Sequence, residues 1–206
     1  MNKSKVRILA ASLAAATALG VGTAYLLEIP PFEGIGTIEA GKVCKNLGSS
    51  DKVIPALRKI APRKPDYSFI EQQNQGLATY FSGCHGGAED TEFLVTRTEY
   101  TALGGTFESW VNGPASKMVD TEDPKNFDRF DTATDTWGVV SKSKAAVSVP
   151  CFPDKKQSLT TIVLLWYSAE PDRIKDRYRQ ELVDLATSTV EFAHKDAGCT
   201  APFKTN

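Results

Sequence analysis

Cysteine and histidine have the most reactive side chains in this chain, and both are scarce. Its 206 residues include four cysteines and two histidines. No two of the cysteines form the close Cys-x-x-Cys pair that a zinc site normally uses. An even number of widely spaced cysteines is typical of disulfides in an exported chain. We therefore predict two disulfides, no metal site and no cofactor site, with the disulfides formed by Cys44, Cys84, Cys151 and Cys199.

The sequence His85-Gly86-Gly87 is similar to the oxyanion loop of lipases. That chemistry also requires a serine on a Gly-x-Ser-x-Gly elbow, which the chain does not contain. We therefore interpret the two glycines as a turn after a strand and assign no catalytic residue. We expect His194, near the carboxyl end of the last helix, to interact favourably with the helix dipole when charged.

An acidic stretch, Asp120 to Asp135, contains six carboxylates. Calcium loops need closely spaced oxygen ligands and usually a glycine at the sharp turn. Here the spacing is irregular and no glycine interrupts the stretch, so we predict a solvated surface loop without tightly bound calcium.

The charge balance and the absence of known sequence motifs argue against several further classes of function. The formal net charge is −1 and no dense basic run is present, which argues against nucleic-acid binding. P-loop, dinucleotide-binding, metalloprotease and kinase motifs are also absent from the sequence. We expect the large aromatic residues to pack in the core or on the sheet rather than to form a sugar-binding platform; these are Trp110, Trp137, Trp166 and Tyr167.

Hydrophobic patterning predicts strands joined mostly by short turns, with a helix at each end. The expected helices cover residues 51–60 and 171–197, with an ambiguous third at 107–118. The expected strands cover residues 67–70, 77–84, 93–100, 137–141, 145–149 and 158–167. The strand at 158–167 (SLTTIVLLWY) contains an apolar run that indicates burial on both faces, so we place it at the centre of the sheet. The buried stripe of the last helix comprises Ile174, Tyr178, Leu182, Leu185, Thr189 and Ala193.

These elements predict an α+β fold: an antiparallel sheet covered by the amino-terminal and carboxyl-terminal helices. Regular β-α-β alternation is missing, which disfavours a doubly wound parallel sheet. We expect one domain over residues 44–206, preceded by a Pro/Gly-containing stalk over residues 28–43.

The order of the last elements also predicts how the cysteines pair. The strand at 158–167 leads away from Cys151, and the following helix returns over a similar length if it packs antiparallel on that strand. Cys199 would then arrive beside Cys151, within the roughly 7 Å between Cα atoms that a disulfide allows. The remaining bridge is Cys44–Cys84.

The amino-terminal stretch from Ile8 to Leu27 (ILAASLAAATALGVGTAYLL) is uncharged and follows Lys3, Lys5 and Arg7. As a helix it would be about 30 Å long, enough to span a bilayer core. Residues 1–27 are therefore predicted to be a membrane anchor, with the rest of the chain outside the cell. A cleaved signal peptide, cut near Gly22-Thr23-Ala24, is the alternative, and the protein would then be secreted.

Small residues recur every fourth position in this segment, at Ala10, Ala14, Ala18 and Gly22. Such a row lets two membrane helices approach closely, so it permits a homodimer.

The overall layout resembles exported, membrane-anchored actinobacterial proteins of unknown function. The likeness rests on the basic start, the Ala-rich segment, the stretch CKNLGSSDKVIPALRKIAP and the late block AVSVPC…LTTIVLLW…GC. It implies an envelope-associated domain and assigns no catalytic residue. We expect a membrane-tethered extracytoplasmic domain that binds a protein or a small ligand at the cell envelope. The alternative is an envelope enzyme whose site is assembled from scattered residues.

Overall fold

The computed structural model of the chain describes residues 35–76, 79–102, 105–116, 124–130, 136–166 and 178–203. The described residues belong to two units. Residues 35–37 and 63–66 form a small unit, in which the Gly36 amide donates to the Lys64 carbonyl at 2.9 Å. Residues 38–62 and those from 67 onwards form the domain considered below. No helix of the described part is long and apolar enough to cross a membrane, and the predicted anchor, residues 1–27, lies outside the described residues.

Three helices are described in the domain: α1 (Ser50–Ile60), α2 (Phe107–Asn112) and α3 (Arg179–Asp196). The strands are β1 (Tyr67–Gln75), β2 (Tyr80–Ala88), β3 (Thr91–Ala102), β4 (Asp128–Arg129), β5 (Trp137–Val140), β6 (Lys144–Phe152) and β7 (Gln157–Leu165). Short 3-10 turns cover Lys45–Leu47, Pro114–Ser116, Pro124–Asn126 and Pro153–Lys155.

The strands form one seven-stranded sheet in the order β1-β2-β3-β7-β6-β5-β4, and every pairing is antiparallel. The most apolar strand, β7, has three strands on either side. All its residues except Gln157 are buried, because both faces of the sheet are covered at this position. The α+β class and the central place of this strand are therefore confirmed.

One face of the sheet carries the main core. α3 packs on β6 and β7, and α1 packs against α3. The predicted stripe of α3 is buried from Tyr178 onwards, and Ile174 lies outside the described residues. The helix ends at Asp196, and Gly198 follows with a φ of 66°, a left-handed conformation that glycine adopts without strain. This turn directs the chain back towards β6.

The opposite face carries a smaller core beneath α2. The Trp110 side chain lies against Trp137, with ring centroids 5.7 Å apart, and both pack near Ile162 of β7. These two tryptophans therefore occupy the predicted core positions. Trp166 does not, since 44% of it is exposed just beyond the end of β7. Tyr167 lies outside the described residues.

Both predicted disulfides are present, with the predicted pairing. The Cα atoms of Cys44 and Cys84 are 6.0 Å apart, and those of Cys151 and Cys199 are 4.5 Å apart. The backbone amides of Thr200 and Ala201 also donate to the Cys151 carbonyl. The end of α3 is thus fastened to β6 covalently and by hydrogen bonds, as the returning-helix argument requires.

The first two strands differ most from the sequence prediction. The polar run 72–76 (QQNQG) between the first two predicted strands is typical of a turn, but β1 continues through it to Gln75. β2 likewise continues through His85-Gly86-Gly87 to Ala88. The glycine turn after the strand was therefore wrong. A Cβ at Gly86 would lie 3.1 Å from the Leu94 Cβ and 3.2 Å from the Phe69 ring, so glycine permits close packing inside the strand.

Three smaller corrections concern element boundaries. Within the ambiguous segment 107–118, the described residues form the short helix α2 and then a 3-10 turn that ends at Ser116. Part of the acidic stretch is not a loop, because Asp128–Arg129 pairs with β5 as an edge strand. The stretch assigned to the stalk reaches into the core, since Ile38 is buried among core residues. Most of the acidic stretch lies outside the described residues, so its calcium content stays a prediction.

Candidate functional site

A cleft of about 510 Å³ opens between the segment that precedes α1, the first turn of α1 and the last turns of α3. Its walls combine apolar side chains, hydroxyls and charges. The lining residues are Ala40, Val43, Cys44, Lys45, Gly48, Ser49, Ser50, Lys52, Val53, Ser188, Glu191, Phe192 and Lys195. The Cys44–Cys84 disulfide holds one wall to β2, and the antiparallel packing of α1 on α3 supplies the other two.

The charged side of the cleft is an arrangement of two lysines around one carboxylate. Glu191 accepts from Lys195 Nζ at 3.0 Å and from Lys52 Nζ at 3.4 Å, so it joins α1 to α3. The hydrogen bond from Lys195 lowers the pKa of Glu191, and Lys52 acts in the same direction. The carboxylate is therefore ionised at neutral pH. A third cation, Lys45, lies on the facing wall.

The first turn of α1 contains a negatively charged side chain, Asp51. The Ser49 hydroxyl donates to the Asp51 carboxylate, and this hydrogen bond is the main cause that lowers the pKa of Asp51. A negative side chain is favourable at the amino end of a helix because the dipole is positive there. The helix end is thus compensated internally, which argues against a dedicated anion site at this point.

Within the cleft, Gly48 of the segment before α1 lies in close contact with Ser188 of α3. Gly48 has a φ of 101°, and a Cβ at this position would lie 2.3 Å from the Ser188 hydroxyl. The Ser188 hydroxyl is buried and has no hydrogen-bond partner among the described residues. A larger residue at position 48 would be strained and would displace α3, so glycine fixes how closely the two walls approach.

Neither histidine lines this cleft. His85 lies in β2, where its side chain points to the sheet face opposite α1 and α3; its Nδ1 is 2.6 Å from Glu92 Oε1. No lining residue forms a nucleophile and histidine pair. In the described part of the chain, no group of three or more His, Cys, Asp or Glu residues is placed to hold a metal ion.

His194 lies in the last turn of α3, in a buried position. It is only 6% exposed, its imidazole hydrogen-bonds the Pro150 backbone carbonyl, and its ring packs against Phe203 at 5.2 Å. Burial lowers its pKa, with the Pro150 hydrogen bond acting in the opposite direction. Because burial disfavours the charged ring, the neutral form predominates at neutral pH, and the dipole interaction expected of the charged form stays a prediction.

This burial predicts a pH dependence of stability. The folded pKa of His194 is below the unfolded value of 6.5, so the unfolded chain binds the proton first as the pH falls. The free energy of unfolding should decrease from about pH 7.5 to pH 5.5, by at most about 1.4 kcal/mol per pH unit. Chemical denaturation across this range checks the slope. His194→Gln, which keeps a donor for Pro150, should flatten it, and an unchanged slope would contradict this origin.

Sequence reasoning did not find the cleft. Its residues come from two segments more than a hundred positions apart, and their types are ordinary for a helix surface. The only usable signals were Gly48 beside the cap residue Ser49 and the polar positions of the last helix turn, and neither indicates a cleft without the packing of α1 on α3. Comparison with known protein families, curated proteins and solved structures finds no match.

Proposed function

We propose that the chain is a membrane-tethered extracytoplasmic domain that binds a small molecule at the cell envelope, in the cleft between α1 and α3. The observation that carries the proposal is this cleft, since about 510 Å³ is within the range of small-molecule sites. Both disulfides are compatible with an oxidising compartment. The uncharged segment from Ile8 to Leu27 supports the tether.

The lining favours a ligand with an apolar body and polar ends. Val43, Val53 and Phe192 offer apolar contacts, and the charged group around Glu191 lies at one side. The charged lining is net positive, because three lysines line the cleft beside one carboxylate. A ligand of this kind would be fixed by contacts with both helices, so binding should also stabilise the domain.

A binder is favoured over an enzyme by the placement of the reactive groups. Catalysis by a serine, cysteine or histidine needs a nucleophile within hydrogen-bond reach of a base. In the described cleft, the cysteine is in a disulfide, the histidines are elsewhere and the Ser188 hydroxyl is buried without a base. The Ser49 hydroxyl donates to Asp51, whose lowered pKa makes this carboxylate a poor general base. The cleft is therefore better suited to holding and orienting a ligand than to attacking it.

A cleft-filling substitution tests the site. Ala40 is exposed at the cleft rim, so Ala40→Phe should occupy the space without disturbing the core. We expect the wild type to melt at a higher temperature with fractions of an envelope small-molecule extract, and Ala40→Phe to lose this shift. Thermal denaturation is the measurement.

The matched control is Ala102→Phe, which places the same side chain at an exposed position at the end of β3. It should retain the ligand-induced shift. If all three proteins respond equally, ligand binding does not occur in the cleft. If none responds to any fraction, the small-molecule function itself is refuted.

A further inference from the structure

Apart from the cleft, the outer edge of β1 is a surface that offers backbone hydrogen-bond donors and acceptors. β1 is the first strand of the sheet, and among the described residues no strand pairs with its outer side. It contains nine residues, most of them exposed, and ends in the polar run Gln72-Gln73-Asn74-Gln75. An unpaired strand of this length presents a row of backbone donors and acceptors that can pair with another chain.

The hairpin geometry shows which residues face outward. The Gly76 amide donates to the Thr79 carbonyl at 2.9 Å, so these two residues form a hydrogen-bonded pair. Antiparallel strands alternate hydrogen-bonded and non-hydrogen-bonded pairs. Following the register back along β1, the backbone groups of Glu71, Gln73 and Gln75 point away from β2.

The side chains of the same three residues hold the strand in place. Gln73 Nε2 donates to the Asp196 carboxylate at 2.6 Å, and Gln75 Nε2 donates to the Asp196 carbonyl at 3.0 Å. The Glu71 carboxylate accepts from the Lys45 amide at 2.6 Å. The edge is thus fixed to the end of α3 and to the turn before α1, which lowers the cost of ordering it in a complex.

The edge also lacks the usual features that prevent pairing. Exposed edge strands commonly carry lysine, proline or a bulge. β1 contains neither lysine nor proline, and its register with β2 is continuous. Its one charged residue, Glu71 in the middle of the strand, is already hydrogen-bonded.

We propose that the outer edge of β1 pairs antiparallel with β1 of a second copy of this chain, about a twofold axis at Gln73. In this register Glu71 faces Gln75 of the second copy, and Gln72 faces Asn74 of the second copy. Amide side chains both donate and accept, so the sequence is complementary to itself and no like charges oppose each other. A second copy is the occupant that this self-complementarity selects.

This interface is separate from the small-residue row of the membrane segment and does not depend on the ligand cleft. Edge pairing of one strand buries little surface, so the dimer should be weak and should depend on concentration. In such a dimer, the amides of Glu71, Gln73 and Gln75 become hydrogen-bonded and exchange more slowly with solvent.

Amide hydrogen exchange of the full-length chain in detergent, read together with sedimentation, tests the pairing. Exchange at residues 71, 73 and 75 should slow as the protein concentration rises. Gln72→Lys with Asn74→Lys opposes like charges across the axis and should weaken association by roughly tenfold or more. Both side chains are exposed, so the fold should tolerate the change.

A control variant and a mixing experiment test whether the loss of association is specific to β1. Asn112→Lys with Asn126→Lys adds the same charge at exposed positions away from β1 and should leave association unchanged. Mixing the lysine pair at 72 and 74 with a glutamate pair at the same positions should restore a heterodimer. A monomer at all concentrations, a dimer without protection of the edge amides, or protection of those amides only by another protein overturns the proposal.

Discussion

Replacing Cys151 and Cys199 together by alanine is expected to lower the free energy of unfolding by about 4 kcal/mol. The disulfide closes a loop with a sequence separation of 48 residues, so its loss frees much conformational entropy in the unfolded chain. Cys151 is fully buried, and the hydrogen bonds from Thr200 and Ala201 to its carbonyl depend on the same junction. The end of α3 should loosen first.

Chemical denaturation under oxidising conditions measures this change. The wild type under reducing conditions loses both bridges, so it should be less stable than the double variant in oxidising buffer. A loss below about 1 kcal/mol in the double variant would show that the hydrogen bonds and packing hold the end of α3 without the bridge.

Leu182→Ala should lower the free energy of unfolding by about 2–5 kcal/mol. Leu182 is fully buried in α3, on the stripe that packs against the sheet. Its truncation removes apolar contacts and leaves a cavity between layers that relax only in part. Asp184→Ala, at an exposed position of the same helix, should change the free energy by no more than about 0.5 kcal/mol. Equal effects of the two substitutions would contradict the assigned packing face of α3.

The sequence predicted those parts of the fold that depend on strong local patterns. The apolar run of β7 indicated the centre of the sheet, and the helical spacing of Leu182 and Leu185 indicated the buried face of α3. The return of this helix then brought Cys199 to Cys151. In each case the local preference and the tertiary packing agree.

The prediction failed where tertiary contacts override local preference. The run 72–75 is polar enough to be interpreted as a turn, and it forms a strand because Gln73 and Gln75 are fixed to Asp196. Gly86 belongs to β2 because two side chains, Leu94 and Phe69, pack where a Cβ would be. These partners belong to other strands or to α3, so the local pattern of each segment does not indicate the contact.

The contact between Tyr80 and the charged Asp196 carboxylate is another that the sequence alone does not indicate. Burial raises the pKa of Tyr80, and so does the Asp196 carboxylate to which its hydroxyl donates at 3.0 Å. Asp196 lies at the carboxyl end of α3, where a negative charge is unfavourable to the helix dipole. The hydrogen bonds from Tyr80 and Gln73 compensate for this position, and only the folded arrangement brings them together.

Native mass spectrometry of the full-length protein, extracted from its own membranes, tests the proposed function most directly. The account predicts a non-covalent small-molecule adduct on the wild type and on Ala102→Phe, and its absence on Ala40→Phe. An adduct that persists on Ala40→Phe, or bare protein in all three samples, would contradict a small-molecule site in the cleft between α1 and α3.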